Sequence, residues 1–325
     1  MALTDRVETR IRVDSTDVPS FWSRDDAKFA MTAPFLVGAA TLCPETSWHQ
    51  AARFIEAIGS VVDNHKNSSQ LIEVVSERLG VSAAKLCEII ILSRINRTEH
   101  FIHVVASLLK KRWRPRSQVI GREHLDEALA EGRGAVIWVA HFAFASLFTK
   151  MALSDAGYKI SHISRPEHGV SKSRFGIEYL NWFRCAAENR YLEQRIVHLR
   201  DRPEATSEAA LAALRRNELL SVTVGAWEGR HLATGELLGS NYTVSAGAPA
   251  FAFATGAKLL SVFTTQDNDS GSYHIAIGAP IGETSRSSRE QFIRASMLEL
   301  LSRHESAIRY APEQWRGWGK LSPRV

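Results

Sequence analysis

The chain has 325 residues, 45% of them hydrophobic and 23% charged, and its 40 Lys+Arg against 35 Asp+Glu give a formal net charge of +5. This composition excludes a small disulfide scaffold, a collagen-like chain and a dominantly disordered one, and the length calls for one large domain with an appended part, or two domains. The mildly basic balance suits anionic partners such as phosphates or lipid headgroups.

The amino-terminal stretch MALTDRVETRIRVD carries charges where a secretory signal needs an apolar run, so a cytoplasmic location is expected. Cys43, Cys87 and Cys185 form neither a CxxC pair nor an even-numbered disulfide framework, which fits a reducing compartment. The apolar segment from Phe29 to Cys43 is too short to span a bilayer and is interrupted by Pro34 and Gly38. It reads as a buried helix or as a helix lying in a membrane interface. From about 47 to 113 the spacing is helical: Ala51, Phe54, Ile55 and Ile58 recur at i, i+3, i+4 and i+7, and Leu71, Val74, Val75 and Leu79 nearly repeat it. Leu86, Ile89 and Ile90 begin a third helix, preferred over a short strand at 89–92. The basic run Lys110, Lys111, Arg112, Arg114 and Arg116 surrounds Trp113, and Pro115 breaks the helix. That run suits an anionic membrane surface, an acidic carrier protein or a solvated helix end. No nucleic-acid recognition motif accompanies it.

Beyond Pro115 short β-rich runs alternate with helical stretches. Strands are expected at 135–140, 158–163, 219–224, 258–264 and 273–277, and helices near 123–131, 142–156, 171–184, 205–216, 245–256 and 286–310. The uncharged run from Leu237 to Ala257 is interrupted by Gly239, Gly247 and Pro249 and reads as a loop leading into a buried helix. The pattern predicts an α/β fold with a mostly parallel central sheet flanked by helices, over 115–325, and an amino-terminal helical extension over 1–114.

His141 follows the apolar run GAVIWVA and precedes an apolar helix. That is the carboxyl end of a strand, where open α/β sheets place their ligands, and imidazole suits a general base at neutral pH. There is no GxxxxGK[ST] loop, HExxH helix, GxSxG elbow or GxGxxG fingerprint. His162 and His168 flank Arg165 but read as surface or pocket residues, so neither metal nor cofactor is expected.

Four blocks in order, GREHLDEALAEGRGAVIWVAHF at 121–142, ISRP at 163–166, GAPAFAFATGAKLLSVF at 247–263 and PEQWRGWGKL at 312–321, resemble the bacterial lipid A biosynthesis lauroyl/myristoyl acyltransferase family. The resemblance implies transfer of an acyl chain from an acyl carrier protein or coenzyme A thioester to a lipid hydroxyl, with His141 as base and Arg165 on a phosphate of acceptor or carrier. It also implies a lipid acceptor and peripheral attachment at the inner face of the cell membrane. Phe142 and Phe144, with Phe148, are candidates to line an acyl groove or to be core. The family's acid, five residues after the histidine, falls on Ser146, which carries no charge. Glu228, after the strand at 219–224, is the candidate substitute. The alternative is a catalytically inactive homologue that binds lipid or acyl carrier protein. Trp315 and Trp318 are expected to pack as structural aromatics.

Overall fold

The computed structural model describes residues 7–11, 19–61, 69–110, 113–199, 202–225, 231–267, 270–282 and 288–322. The elements run in chain order as β1 (Glu8–Ile11), α1 (Arg24–Leu42), α2 (Trp48–Ser60), α3 (Ser69–Leu79), α4 (Ala83–Leu109), β2 (Ser117–Ile120), α5 (Arg122–Ala130), β3 (Ala135–Val139), α6 (Ala145–Asp155) and β4 (Ile160–Ser164). They continue with α7 (Trp182–Asn189), β5 (Gln194–Val197), α8 (Pro203–Arg215), β6 (Leu219–Thr223), β7 (His231–Leu237), β8 (Ser240–Ser245), α9 (Gly247–Thr255), β9 (Lys258–Gln266), β10 (Tyr273–Pro280), α10 (Arg289–Tyr310) and β11 (Leu321–Ser322).

Seven strands form the central sheet in the order β2-β10-β9-β3-β6-β4-β5, and every neighbouring pair is parallel except β9 with β10. The α/β fold with a mostly parallel sheet and an amino-terminal helical region is therefore the one the sequence predicts. β3 (AVIWV) is buried at all five positions, as a central parallel strand covered on both faces must be. Its entry depends on Gly134, at φ +66, where a Cβ would come within 2.7 Å of the Glu218 carbonyl oxygen and 2.9 Å of that of Leu214. Backbone and contact thus both demand glycine. Gly134→Ala is expected to cost roughly 1–3 kcal/mol, read as a lowered chemical-denaturation midpoint; an unchanged midpoint would mean that the β3 entry relaxes freely.

A second sheet, β1-β7-β8-β11, corrects the reading of 237–244 as loop. β7 and β8 pair antiparallel across a turn at Leu238 and Gly239, both at positive φ, and Tyr242 and Val244 are fully buried in alternation. The glycines punctuate a hairpin there. The helix expected at 171–184 starts later: a π-helical turn at Gly176–Leu180 precedes α7.

One apolar cluster fills the central sheet and its flanking helices. Another, containing Leu36, Trp48, Ile55, Phe101, Ile102, Phe144, Phe148 and Phe183, joins α1, α2 and α4 to α6 and α7. Trp113 belongs to this second core, its indole Nε1 donating to Glu45 Oε1 at 2.6 Å. The basic run is accordingly anchored inward in part: Lys110 lies over the Trp48 ring, and Arg114 pairs with Asp155 at 2.8 Å. Lys111 and Arg112 lie outside the described residues. α1 continues through Pro34, so the segment Phe29–Cys43 is helical to Leu42. Leu36, Ala39 and Ala40 face inward, while Phe35, Val37 and Leu42 are exposed. No helix among the described residues is long and apolar enough to cross a membrane.

Candidate active site

The carboxyl ends of β3, β4 and β6 point the same way, and the residues just beyond them, His141, Arg165 and Gly225, line one cavity of about 880 Å³. This is the crevice in which open α/β sheets bind ligands. The amino-terminal helices roof it. Phe29 and Leu36 from α1, Ile55 from α2, and Ile90, Ile91 and Phe101 from α4 supply apolar wall. Several elements also bring cations to it, Arg97 from α4, Arg184 from α7, Arg165, and Arg316 and Lys320 from the carboxyl-terminal segment, and Asp25, Glu56 and Glu167 line it as well.

The turn that carries His141 is clamped by that segment. The Ala140 amide donates to Val262 O at 2.8 Å, Ala143 N to Gln314 O at 2.7 Å, and Arg316 N to His141 O at 3.0 Å. Gln314 is itself fixed to β9, accepting from Gln266 N at 2.7 Å and donating to Gln266 O at 2.8 Å. Trp315 and Trp318 stack edge to face at 4.7 Å and are buried beside the turn, as structural aromatics are expected to be.

Burial is the main force holding the His141 imidazole well below its ordinary pKa, followed by the positive charges of Lys320, Arg316, Arg184 and Arg165. The ring is therefore neutral at pH 7, the form a base needs. Among the described residues its buried Nδ1 has no hydrogen-bond partner. Burial together with Arg165, Arg316 and Lys172 pulls the Lys320 ammonium down to about 7, and its Nζ donates to Gly225 O at 2.5 Å.

Ser146, in the first turn of α6, lines the same cavity, but its Oγ lies 2.8 Å from Nε2 of the fully buried His100. One turn on, the buried Lys150 donates to Ser146 O at 2.6 Å and pairs with Glu188 at 3.0 Å. Glu188 is a completely buried carboxylate that also meets His168 at 2.8 Å, Arg184 at 3.1 Å and Arg195 at 2.9 Å. Burial pushes its pKa up, but His168, Lys150 and Arg184 outweigh that and hold it well below the usual carboxylate range. Position 146 thus carries a hydroxyl tied to a neutral histidine, and the buried Glu188 carboxylate lies beyond it on Lys150.

A family model described as bacterial lipid A biosynthesis acyltransferase matches residues 96–318, more than half of the chain. The chain belongs to that family. A search of curated proteins finds no match. As a member of the bacterial lipid A biosynthesis acyltransferase family it is an acyltransferase by descent, with a lipid-related acceptor and an acyl donor as the family's general substrates.

Of the residues singled out by sequence, His141, Ser146, Arg165 and Phe142 all line this one cavity. Phe144 does not. It is fully buried against His103, Phe148 and Tyr273, because its side of the α6 entry faces the second core instead of the crevice. Glu228 lies outside the described residues. His162, with Nδ1 3.1 Å from Ser221 O, and His168, on Glu188, are pocket residues. Sequence reasoning missed Arg184, Arg316 and Lys320, and the apolar wall from α1, α2 and α4. The PEQWRGWGKL block contained two of these cations, but only the fold brings that block across to His141.

Proposed function

We propose that this chain transfers an acyl group from an acyl carrier protein or coenzyme A thioester to a hydroxyl of an anionic, lipid-like acceptor, with His141 as general base. The observation that carries the reading is His141 at the end of β3, lining a cavity to which α1, α2 and α4 bring Phe29, Leu36, Ile55 and Phe101 and to which the loop after β4 and the carboxyl-terminal segment bring Arg165, Arg316 and Lys320. The hydroxyl oxygen attacks the thioester carbonyl while the imidazole takes its proton. The carbon–sulfur bond then breaks, and the imidazolium returns the proton to the departing thiolate. The apolar wall of Phe29, Leu36, Ile55 and Phe101 takes the acyl chain, and Arg165 binds a phosphate of acceptor or donor.

Attachment to the inner face of the cell membrane is peripheral in this reading. Phe21, Trp22, Phe35, Val37, Leu42 and Phe54 are exposed large apolar side chains on or next to α1 and α2, the helices that roof the cavity. Such a patch suits the interfacial side of a bilayer and would let an amphipathic acceptor enter without leaving it.

Purified protein given a long-chain acyl-coenzyme A and a lysophospholipid should form ester, and His141→Asn should lower that rate by on the order of 10³ while leaving the circular dichroism spectrum unchanged. Equal rates in the two proteins would remove His141 from the mechanism. A second reading, an inactive homologue that binds lipid or carrier protein, is favoured by one observation: Ser146 is committed to His100, and among the described residues His141 Nδ1 has no partner. Absence of ester with acyl-coenzyme A and with acyl carrier protein as donor, together with binding of the lysophospholipid or the carrier, would favour it.

A further inference from the structure

Ser146 and His100 form a pair that the direct transfer above does not use. Ser146 sits in the first turn of α6, part-buried on the cavity wall, and its Oγ lies 2.8 Å from Nε2 of His100 on α4. A hydroxyl open to a substrate cavity, with a neutral imidazole in hydrogen-bond reach behind it, has the geometry of a nucleophile and its base. The His100 ring is fully buried and oriented by packing, edge to face with Phe144 and Phe148 at 6.2 and 6.0 Å between centroids. Burial first, then Arg184, His103 and Arg316, hold it unprotonated at pH 7, while Glu188 favours its charged form. Such a ring can take a proton and soon gives it back. The position of the hydroxyl also matters. First-turn amides of a helix lack intrahelical acceptors, so negative charge developing at Ser146 is favoured there.

Resting on the donor and acceptor classes of the reading above, we propose that Ser146 is a second nucleophile of this cavity, loaded with the acyl group through His100 when the donor arrives before the acceptor. Ser146 Oγ attacks the thioester carbonyl, and His100 Nε2 takes its proton. The carbon–sulfur bond breaks, and His100 returns the proton to the departing thiolate. The acyl group is then held as an oxygen ester of Ser146. His141 lines the same cavity, and an acceptor hydroxyl that gives its proton to His141 attacks this ester. The bond from Oγ to the acyl carbon breaks, and the His141 imidazolium returns the proton to the Ser146 oxygen as it leaves. The direct route operates when both substrates are bound together. The hydroxyl at position 146 thereby gives the chain an acyl-loaded resting form.

Intact-mass spectrometry of the full chain tests this. Protein mixed with palmitoyl-coenzyme A or palmitoyl-acyl carrier protein, without acceptor and acid-quenched within the first turnover, should gain the mass of one palmitoyl group. Peptide mapping should place it on Ser146. The adduct should resist neutral hydroxylamine, which removes a thioester such as one on Cys87, another residue of the cavity. His100→Gln should slow loading by on the order of 10²-fold, and Ser146→Ala should abolish it. Ser146→Cys should load and become sensitive to hydroxylamine, a change that a merely structural hydroxyl would not produce. Loaded protein freed of donor should pass its palmitoyl group to a lysophospholipid, and His141→Asn should slow that discharge by on the order of 10²-fold. Ester formed from the thioester with no adduct on Ser146 leaves the acyltransferase reading standing and overturns this inference. Equal loading of the wild type and His100→Gln, or an adduct that lysophospholipid does not discharge, overturns it as well. Neither adduct nor ester with either donor overturns both.

Discussion

Lowering the pH from 7 toward 4.5 should unfold this protein cooperatively, with a circular dichroism midpoint above pH 4. The cause is a set of buried neutral imidazoles. His304 is pushed down to about 3, first by burial and then by Lys320, and both its ring nitrogens, buried among Phe142, Tyr242, Phe263 and Trp315, have no hydrogen-bond partner among the described residues. His100 and His162 are held well below the ordinary range, chiefly by burial. In the unfolded chain each titrates near ~6.5, so below that pH the unfolded state binds protons that the folded state refuses. For His304 the loss is roughly 1.4 kcal/mol per pH unit below ~6.5, about 2–3 kcal/mol by pH 4.5, fully developed only near its folded pKa. His100 and His162 add losses of the same sign. Glu188, whose folded pKa is depressed, adds its own once the pH falls below the unfolded carboxylate value. Against a total stability of about 5–15 kcal/mol this is decisive. His304→Leu, similar in volume, should move the acid midpoint to lower pH and help more at pH 5 than at pH 7. A pH-independent effect would mean that packing, and not protonation, accounts for the change.

Glu188→Gln should be the most damaging single substitution among the charged residues. The carboxylate is the shared counter-charge of Lys150, Arg184 and Arg195, whose side chains are 4%, 7% and 10% exposed. Removing one partner of a buried ion pair leaves its cations desolvated and uncompensated, at a cost of about 3–5 kcal/mol. Lys150, already lowered to about 8 mainly by burial, should then lose its proton at neutral pH. The thermal midpoint should fall by roughly 5–15 °C, and Lys150→Met placed on top of Glu188→Gln should restore part of it. A drop of less than about 1 kcal/mol would mean that water reaches the cluster.

The parts legible in sequence were those written in local pattern. β3 is a continuous apolar run ended by His141, and the α/β alternation after Pro115 is periodic enough to name the sheet. The hairpin β7–β8 was hidden because its glycines read equally as loop punctuation, and only the strand pairing distinguishes the two. The short strands β1, β2, β5 and β11, of four residues or fewer, carry too few side chains to show a period. The same limit governed the site. His141 is marked by its own strand, but Arg184 and Arg316 become site residues only through long-range folding, and a charged residue beside a polar stretch looks like any solvated one. Phe142 and Phe144 show how fine the distinction is: two positions along one turn place one ring at the crevice wall and the other in the second core.

The clamp on the His141 turn has a kinetic consequence. Asn96, on α4, donates to Glu313 O at 2.8 Å across 217 positions of sequence, and the neighbouring residues hold the turn itself. Loop-closure entropy for so distant a contact must be met before the contact repays it. The sheet and its local helices can therefore condense while the turn after β3 is still unfixed, and the reactive geometry should be among the last features to form on refolding. Recovery of His141-dependent activity should then lag recovery of helical signal, and on the ribosome a nascent chain that has already buried its sheet would remain chemically silent until the segment around Trp315 emerges.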